Sequence, residues 1–189
     1  MGLRKVVEWG LTLAGAVVFV LVFEAAVAQP FRVPTSSMSP TLECARGPSD
    51  PGCTASFNDR VIVAKFVYDF RDPKRGDIAV FHAPPAAAAD CGEGGDYLKR
   101  VISVPGDIVS EQDGYVFVNG EKLSEPYVTA NERDTITRAW PRLGPGEYFM
   151  MGDNRNASCD SRTWGPVTRS EFVGPVVATY WPPNRWNVQ

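Results

Sequence analysis

The segment that most constrains the fold of this chain lies near the N-terminus, where no residue from Trp9 to Phe23 is charged. The apolar pattern continues to Ala28 and is interrupted only by Glu24. Because a helix rises about 1.5 Å per residue, roughly 20 apolar residues cross the hydrocarbon core of a bilayer. The sequence therefore predicts one transmembrane helix over residues 9–28.

Two interpretations of this segment remain open at this point. Arg4 and Lys5 precede the apolar run, which favours a cytoplasmic N-terminus over residues 1–8. A basic start, an apolar run and the small residues 26–28 also fit a cleavable secretory signal. Both interpretations export residues 29–189, so they differ only in whether the mature protein stays anchored.

After Pro30 the pattern changes to short stretches rich in Val, Ile, Phe and Tyr, separated by Gly, Pro and Asp. This pattern is typical of strands joined by turns, so residues 29–189 are predicted to form a mostly β domain, with a small excursion at about 112–146. Asn119-Gly120 predicts a tight hairpin. The predicted strands are 60–68, 77–82, 97–104, 107–111, 114–118, 147–151 and 172–181, and 83–96 is predicted as a surface loop.

Composition excludes several classes of function. The 189 residues carry a net charge of −3, and a chain without an excess of basic residues is not expected to bind nucleic acid. His82 is the single histidine, so a Ser-His-Asp triad would depend on that residue alone. Because no His-x-His or Cys-x-x-Cys spacing occurs, we expect no metal and no cofactor.

The four cysteines are widely spaced and even in number, which suits disulfides in an extracytoplasmic setting. Cys44 and Cys53 bracket a turn-rich stretch inside the predicted loop 43–58, so a small disulfide loop is the simplest hypothesis. Cys91 and Cys159 are then the remaining pair. The alternative is that all four are free buried thiols.

One predicted strand carries two adjacent cations. Alternation along residues 97–104 places Lys99 and Arg100 on opposite faces. If the sheet is covered on both sides, one of the two is buried, and burial lowers the pKa of a lysine. A neutral amine beside a serine hydroxyl can take its proton. The more common alternative is a lysine that packs its stem and keeps its ammonium in water.

A third segment, residues 151–166, is dense in polar side chains and lies between predicted strands. Gly152, Asp153 and Asn154 suit an ordinary turn. By residue chemistry alone, Asp160 and Arg162, which follow, could equally form a solvated ion pair.

Taken together, these segments resemble the bacterial type I signal peptidases, membrane-bound serine proteases that remove signal peptides from exported proteins. A Ser-Met-x-Pro-Thr element alone is weak, but its combination with Lys-Arg-x-x-x-x-Pro-Gly-Asp and Gly-Asp-Asn-Arg is specific. The resemblance runs in order through most of the chain. It is carried by VAQPFRVPTSSMSPTL, FNDRVIVAKFVYDFRDPKRGDIAVF, YLKRVISVPGD and GEYFMMGDNRNASCDSRTWGPV.

By this resemblance, Ser37 is the nucleophile and Lys99 its general base, in a dyad without histidine. The Ser37 backbone N–H and the Thr35 hydroxyl are expected to form the oxyanion hole. Ser158 is expected to orient the lysine amine. The resemblance also implies two supporting ion pairs, Asp160 with Arg162 and Asp153 with Arg100. Side chains implied to line the substrate pockets are Phe31, Val33, Pro34, Met38, Leu42, Val61, Val80 and Leu98.

The resemblance implies a signal-peptidase-like (repressor-protease-like) β catalytic domain that cleaves preproteins after small residues, typically Ala-x-Ala, through an acyl-enzyme. The expected partners are signal peptides, membrane lipid and, by proximity, the secretion translocon. It favours an anchor over a cleaved signal, hence a single-pass protein of the cytoplasmic (inner) membrane with its catalytic domain outside. The alternatives are a self-cleaving Ser-Lys repressor-type protease and a non-catalytic anchored β domain.

The chain departs from the family pattern in three places. Thr35 stands where many relatives have Ser, and Ser36 stands where many have Gly. A positive φ at Ser36 would be strained, and this residue is not expected to take part in the chemistry. The loop 43–58 is longer than the usual turn after the serine motif.

Overall fold

The structure, a computed structural model, describes residues 2–92 and 94–188. For Leu3, Val6 and residues 21–26 it describes the backbone alone.

The N-terminal segment forms helix α1, Leu3–Ala26, followed by strand β1, Ala28–Arg32. The predicted helix over 9–28 therefore ends earlier, because Ala28 already pairs with a neighbouring strand. In the described part of the chain, no helix combines the length and the hydropathy that crossing a membrane requires. The transmembrane prediction is thus not confirmed, and the side chains of 21–26 within it lie outside the described residues.

The chain after β1 is mostly β, as predicted. Every strand predicted from the sequence is present within a few residues of its expected bounds. In chain order the strands are β2 (Arg60–Ala64), β3 (Ile78–His82), β4 (Asp96–Ser103), β5 (Val109–Gln112), β6 (Tyr115–Val118), β7 (Glu121–Lys122), β8 (Arg138–Ala139), β9 (Glu147–Met151), β10 (Val167–Thr168), β11 (Phe172–Trp181) and β12 (Asn187–Val188).

The strands form two antiparallel sheets. The larger has the order β1-β2-β11-β3-β4-β9-β10, with β12 paired to β11, and the smaller has the order β7-β6-β5-β8. The smaller sheet contains most of the predicted excursion but begins earlier, at Val109. Its β6–β7 hairpin turns at Asn119 and Gly120, which have φ values of 55° and 85°. Asn and Gly tolerate positive φ, so the hairpin signal is confirmed.

Three short helices connect the strands: α2 (Val67–Phe70), α3 (Pro85–Cys91) and α4 (Ser161–Trp164). Helix α2 ends the predicted strand 60–68 early. Helix α3 lies inside the predicted loop 83–96 and closes at Gly92, whose φ of 74° suits a left-handed helix terminus. Four consecutive alanines favour this helix, a signal outweighed in the prediction by the neighbouring Gly and Pro.

The larger sheet packs its side chains into separate apolar clusters. One cluster joins Val33 and Met38, from the segment after β1, to residues of β2 and β3 such as Val61 and Val80. Burial of these apolar side chains holds the segment after β1 firmly against the sheet. The segment that carries Ser37 is therefore attached to the core on both sides.

Candidate active site

The central contact of the site joins a serine hydroxyl to a lysine amine. Ser37 lies in a 3-10 turn, Ser36–Met38, and Lys99 lies in β4. The Lys99 Nζ donates to the Ser37 Oγ at 2.6 Å. Ser37 is 7% exposed and Lys99 is 3% exposed, so the contact is screened from bulk water. Such a pair can generate a serine nucleophile.

The turn around Ser37 is fixed by contacts to the segment after β9. The Asn154 backbone N–H donates to the Ser37 carbonyl at 3.1 Å, and the Asn154 side chain donates to the Ser36 carbonyl at 3.2 Å. Gly152 permits this approach, since a Cβ there would lie 2.4 Å from the Ser37 carbonyl oxygen. Thr35 Oγ1 is 3.2 Å from Ser37 Oγ, so it lies beside the reacting atom.

A cavity of about 120 Å³ opens onto the Ser37–Lys99 pair. Six of the eight residues predicted to line substrate pockets do line it: Phe31, Val33, Pro34, Met38, Val80 and Leu98. The prediction is wrong for Leu42 and Val61 as lining residues. Both are fully buried in the apolar cluster beneath the cavity. Apolar sequence character cannot distinguish a pocket wall from the layer behind it.

Sequence reasoning missed several residues of the cavity wall: Arg32, Gly94, Asp96 and Tyr97. A signal for Tyr97 was present, because strand alternation places it on the same face as Lys99. Its ring centroid is 5.6 Å from the Lys99 Nζ. The Asp96 carboxylate accepts a hydrogen bond from the His82 ring Nδ1 at 2.7 Å, outside the Ser37–Lys99 contact.

Two buried ion pairs flank the lysine strand. Arg100 donates to Asp153 through Nε at 2.8 Å and through a terminal nitrogen at 2.6 Å. Arg162 donates to both oxygens of Asp160, each at 2.8 Å. Burial alone would raise the pKa of Asp160, but Arg162 holds it below its usual value. The Asp160 carboxylate is thus ionised, and each carboxylate is held by two hydrogen bonds from its arginine.

The Ser158 hydroxyl is buried beside the segment after β9. It lies against Gly152, where an added Cβ would meet it at 2.3 Å. It also helps to hold the pKa of Asp160 below its usual value. Ser158 therefore lies next to the Ser37 backbone, and its role in orienting the Lys99 amine stays a prediction.

The cysteines are joined as Cys44–Cys53 and Cys91–Cys159, the two pairs considered from the sequence. Among the described residues, Cys44, Asp50 and Cys53 offer ligand atoms within 4.8 Å of one another. Two of these atoms are sulfurs of the disulfide, which cannot serve as thiolate ligands. The cluster therefore does not fit a metal ion while the bond is intact.

An antiparallel β protein that holds a serine hydroxyl against a buried lysine amine fits the class of serine hydrolases. Comparison with known proteins makes the assignment more specific. Residues 6–181 match the family model described as "Signal peptidase, peptidase S26". The chain therefore belongs to this family, as an enzyme of the signal peptidase I type.

Individual relatives agree with the family model. A signal peptidase I from Leptolyngbya laminosa is 37% identical over 177 residues, covering 92% of this chain and 79% of that protein. A probable signal peptidase I-2 from Synechocystis is 35% identical over 175 residues, covering 93% and 73%. The crystal structure of a signal peptidase I from Enterococcus faecalis is 32% identical, with a TM-score of 0.46, and covers 56% of this chain and 97% of that one.

Proposed function

We propose that this protein is a serine endopeptidase that removes signal peptides from exported preproteins, with Ser37 as nucleophile and Lys99 as general base. The observation that carries the proposal is the 2.6 Å contact between Lys99 Nζ and Ser37 Oγ. Its position at the floor of the cavity supports the same assignment, because a nucleophile must face the space that the substrate occupies.

The proposed reaction proceeds in two steps. The Lys99 amine takes the proton of the Ser37 hydroxyl as its oxygen attacks the scissile carbonyl, and that proton passes to the leaving amine. The resulting acyl-enzyme is hydrolysed by a water that the same amine deprotonates. The Thr35 hydroxyl and the Ser37 backbone N–H stabilise the oxyanion of each tetrahedral intermediate. The Thr35 position, 3.2 Å from Ser37 Oγ, supports this role.

The lining of the cavity supports a preference for small apolar side chains. Its walls include the apolar side chains of Phe31, Val80 and Leu98, which favour an alanine methyl over a polar group. We therefore propose cleavage after Ala-x-Ala, with the substrate extended beside the cavity-forming segments.

We further propose that α1 contacts a membrane and keeps the catalytic domain on its extracytoplasmic face. Trp9, Leu11 and Leu13 on this helix are 71%, 70% and 68% exposed, and apolar surface of this kind is stabilised by lipid. Phe66, 41% exposed, directly follows Lys65, whose backbone N–H donates to the carbonyl of Val27, the residue after α1. An exposed aromatic ring near the end of an apolar helix suits the membrane interface.

The dyad is tested with a preprotein that carries an Ala-x-Ala site. We expect Ser37→Ala and Lys99→Ala each to lower kcat at least a thousandfold, because each removes a group that acts in the chemical step. Product formation is measured by electrophoresis, and folding of each variant by circular dichroism.

His82→Gln is the matched control. His82 is 67% exposed in its side chain and lies outside the cavity wall, so its replacement is expected to leave kcat unchanged. Wild-type turnover in either dyad variant would refute the proposed roles. Complete loss of turnover in His82→Gln would instead point to a histidine mechanism.

A further inference from the structure

The loop between the serine motif and β2 contacts the nucleophile turn directly. Within this loop, residues 43–58, the Asp50 carboxylate accepts the Ser36 backbone N–H at 2.7 Å. It also accepts the Ser36 hydroxyl, at 2.9 Å and 3.1 Å to its two oxygens. Ser36 is 1% exposed and immediately precedes Ser37. The Asp50 carboxylate thus accepts hydrogen bonds from both the backbone N–H and the hydroxyl of Ser36.

Ser36, which was not expected to take part in the chemistry, thus has a specific hydrogen-bond partner. Its backbone is also not strained, since the described non-glycine residues with positive φ are Asp113 and Asn119. A glycine at position 36 would leave Asp50 without its hydroxyl donor. Two of the three departures of this chain from the family pattern, Ser36 and the longer loop, thus meet in one hydrogen-bonded contact.

The loop itself is built to hold Asp50 in place. The Gly52 backbone N–H donates to the Asp50 carboxylate at 2.8 Å, and the Cys53 backbone N–H donates to the Asp50 carbonyl at 3.1 Å. The Cys44–Cys53 disulfide closes the loop around these bonds. Gly52 must be a glycine for this approach, because a Cβ would lie 2.4 Å from the Ser36 hydroxyl oxygen.

The carboxylate is charged at neutral pH. Burial raises the pKa of Asp50, but hydrogen bonds from the Ser36 and Gly52 backbones and the Ser36 hydroxyl hold it below its usual value. Hydrogen bonds to a charged acceptor are stronger than neutral ones. On its other side, Ser36 is held by Asn154 and by the Ser39 backbone N–H, which donate to its carbonyl at 3.2 Å and 3.0 Å.

We propose that Asp50 is a positioning residue for the nucleophile: it fixes Ser36, and through it the Ser37 hydroxyl, against Lys99. Within the disulfide loop 43–58, Asp50 is then the residue that supports the catalytic pair. This inference rests on the proposed roles of Ser37 and Lys99. Asp50 is not among the residues that line the cavity, so it acts on the chemical step and not on substrate binding. A displacement of a fraction of an ångström at the nucleophile is enough to lower the rate.

The test compares Asp50→Ala and Asp50→Asn with the wild type in the full-length chain, using the Ala-x-Ala preprotein. We expect Asp50→Ala to lower kcat about tenfold or more with KM unchanged, since it removes hydrogen bonds to a charged group. Asp50→Asn keeps one acceptor oxygen and the same shape, so it is expected to retain an intermediate kcat. Ser49→Ala, an exposed neighbour in the same loop, is the matched control and is expected to match the wild type.

A double-mutant cycle separates positioning from simple stability. With Ser36→Ala, the loss from Asp50→Ala is expected to shrink, because the two side chains share one contact. Equal losses in both backgrounds, or a raised KM with unchanged kcat, would overturn the inference. So would wild-type kcat in Asp50→Ala while Ser37→Ala is inactive. An active Ser37→Ala variant would instead defeat the proposed function itself.

Discussion

At the scale of single residues, neighbouring side chains on one strand have opposite tasks. Lys99 faces Ser37 and Arg100 faces Asp153, as strand alternation predicts for adjacent residues. Both cations are buried, because the sheet is covered on both sides. The alternative in which Lys99 reaches water with its ammonium is wrong for this structure, since its nitrogen meets a hydroxyl in a closed site.

Glu111 in β5 provides a prediction at this scale. The residue is 2% exposed, and neither carboxylate oxygen has a hydrogen-bond partner among the described residues. Burial, followed by the charge of Asp134, raises its pKa from 4.5 to about 7, while Arg162 and Arg155 lower it and Asp160 raises it. The folded state therefore holds this proton more tightly than the unfolded state.

The expected consequence is a loss of stability with rising pH. Between about pH 4.5 and pH 7 the free energy of unfolding should fall by about 3 kcal/mol, because the unfolded chain releases the Glu111 proton in this range while the folded state retains it. Glu111→Gln removes this titration, so its stability should change less across the same window. Urea unfolding at several pH values measures both proteins, and parallel curves would contradict the assignment to Glu111.

At the scale of elements, the sequence predicted where the strands lie but not which strands pair with one another. Short runs rich in Val, Ile, Phe and Tyr, bounded by turn residues, predicted where β3, β4, β6 and β9 lie. Strand β1 was missed because Gln29, Pro30 and Arg32 give it neither an apolar run nor an alternating pattern. Nothing in local patterning indicates that β11 pairs with both β2 and β3, because that pairing joins distant parts of the chain.

The two disulfides differ in the length of chain that they close, and this gives a prediction. Cys91–Cys159 links α3 to the residue before Asp160 with a sequence separation of 68, while Cys44–Cys53 has a separation of 9. Loop-closure entropy then predicts that replacing the first pair by serine costs about 4 kcal/mol and the second about 2.5 kcal/mol.

Urea unfolding of the two double-serine variants measures this difference. The Cys44–Cys53 variant is expected to lose little free energy of unfolding. Its kcat is nevertheless expected to fall, because the loop that this disulfide closes holds Asp50. The loop-entropy argument fails if the free energy of unfolding of the Cys44–Cys53 variant falls as far as that of the Cys91–Cys159 variant.

At the scale of the whole molecule, the arrangement brings a helix with an exposed apolar surface next to the edge strand of the larger sheet. The α1 helix leads directly into β1, and β1 leads into the segment that carries Ser37. Ser37 is therefore close in sequence to the proposed lipid-contacting helix. A substrate held in a membrane would meet the cavity near that boundary.

Membrane association is tested by flotation of the full-length chain with phospholipid vesicles. We expect the wild type to float with the vesicles, and Leu11→Lys with Leu13→Lys to float less, because two charges on the exposed apolar surface oppose burial in lipid. Trp186→Ser, at an exposed position near the C-terminus, is the control and should behave as the wild type. Equal flotation of all three proteins would contradict the proposed role of α1.

The sequence alone determined the mostly β class, most strand positions and the Asn-Gly hairpin, because these depend on local periodicity and on residues next to one another in the chain. The candidate pair Ser37 and Lys99 came from two short motifs that resemble those of a known family, although the two residues are 62 positions apart. The tertiary structure decided which apolar residues form the cavity wall and which lie behind it, as Val80 and Val61 illustrate. It also decided the role of Ser36, because the carboxylate that holds it belongs to a loop whose path no local pattern specifies. Contacts between distant segments are set by packing and disulfide closure, and these exist only once the chain has folded.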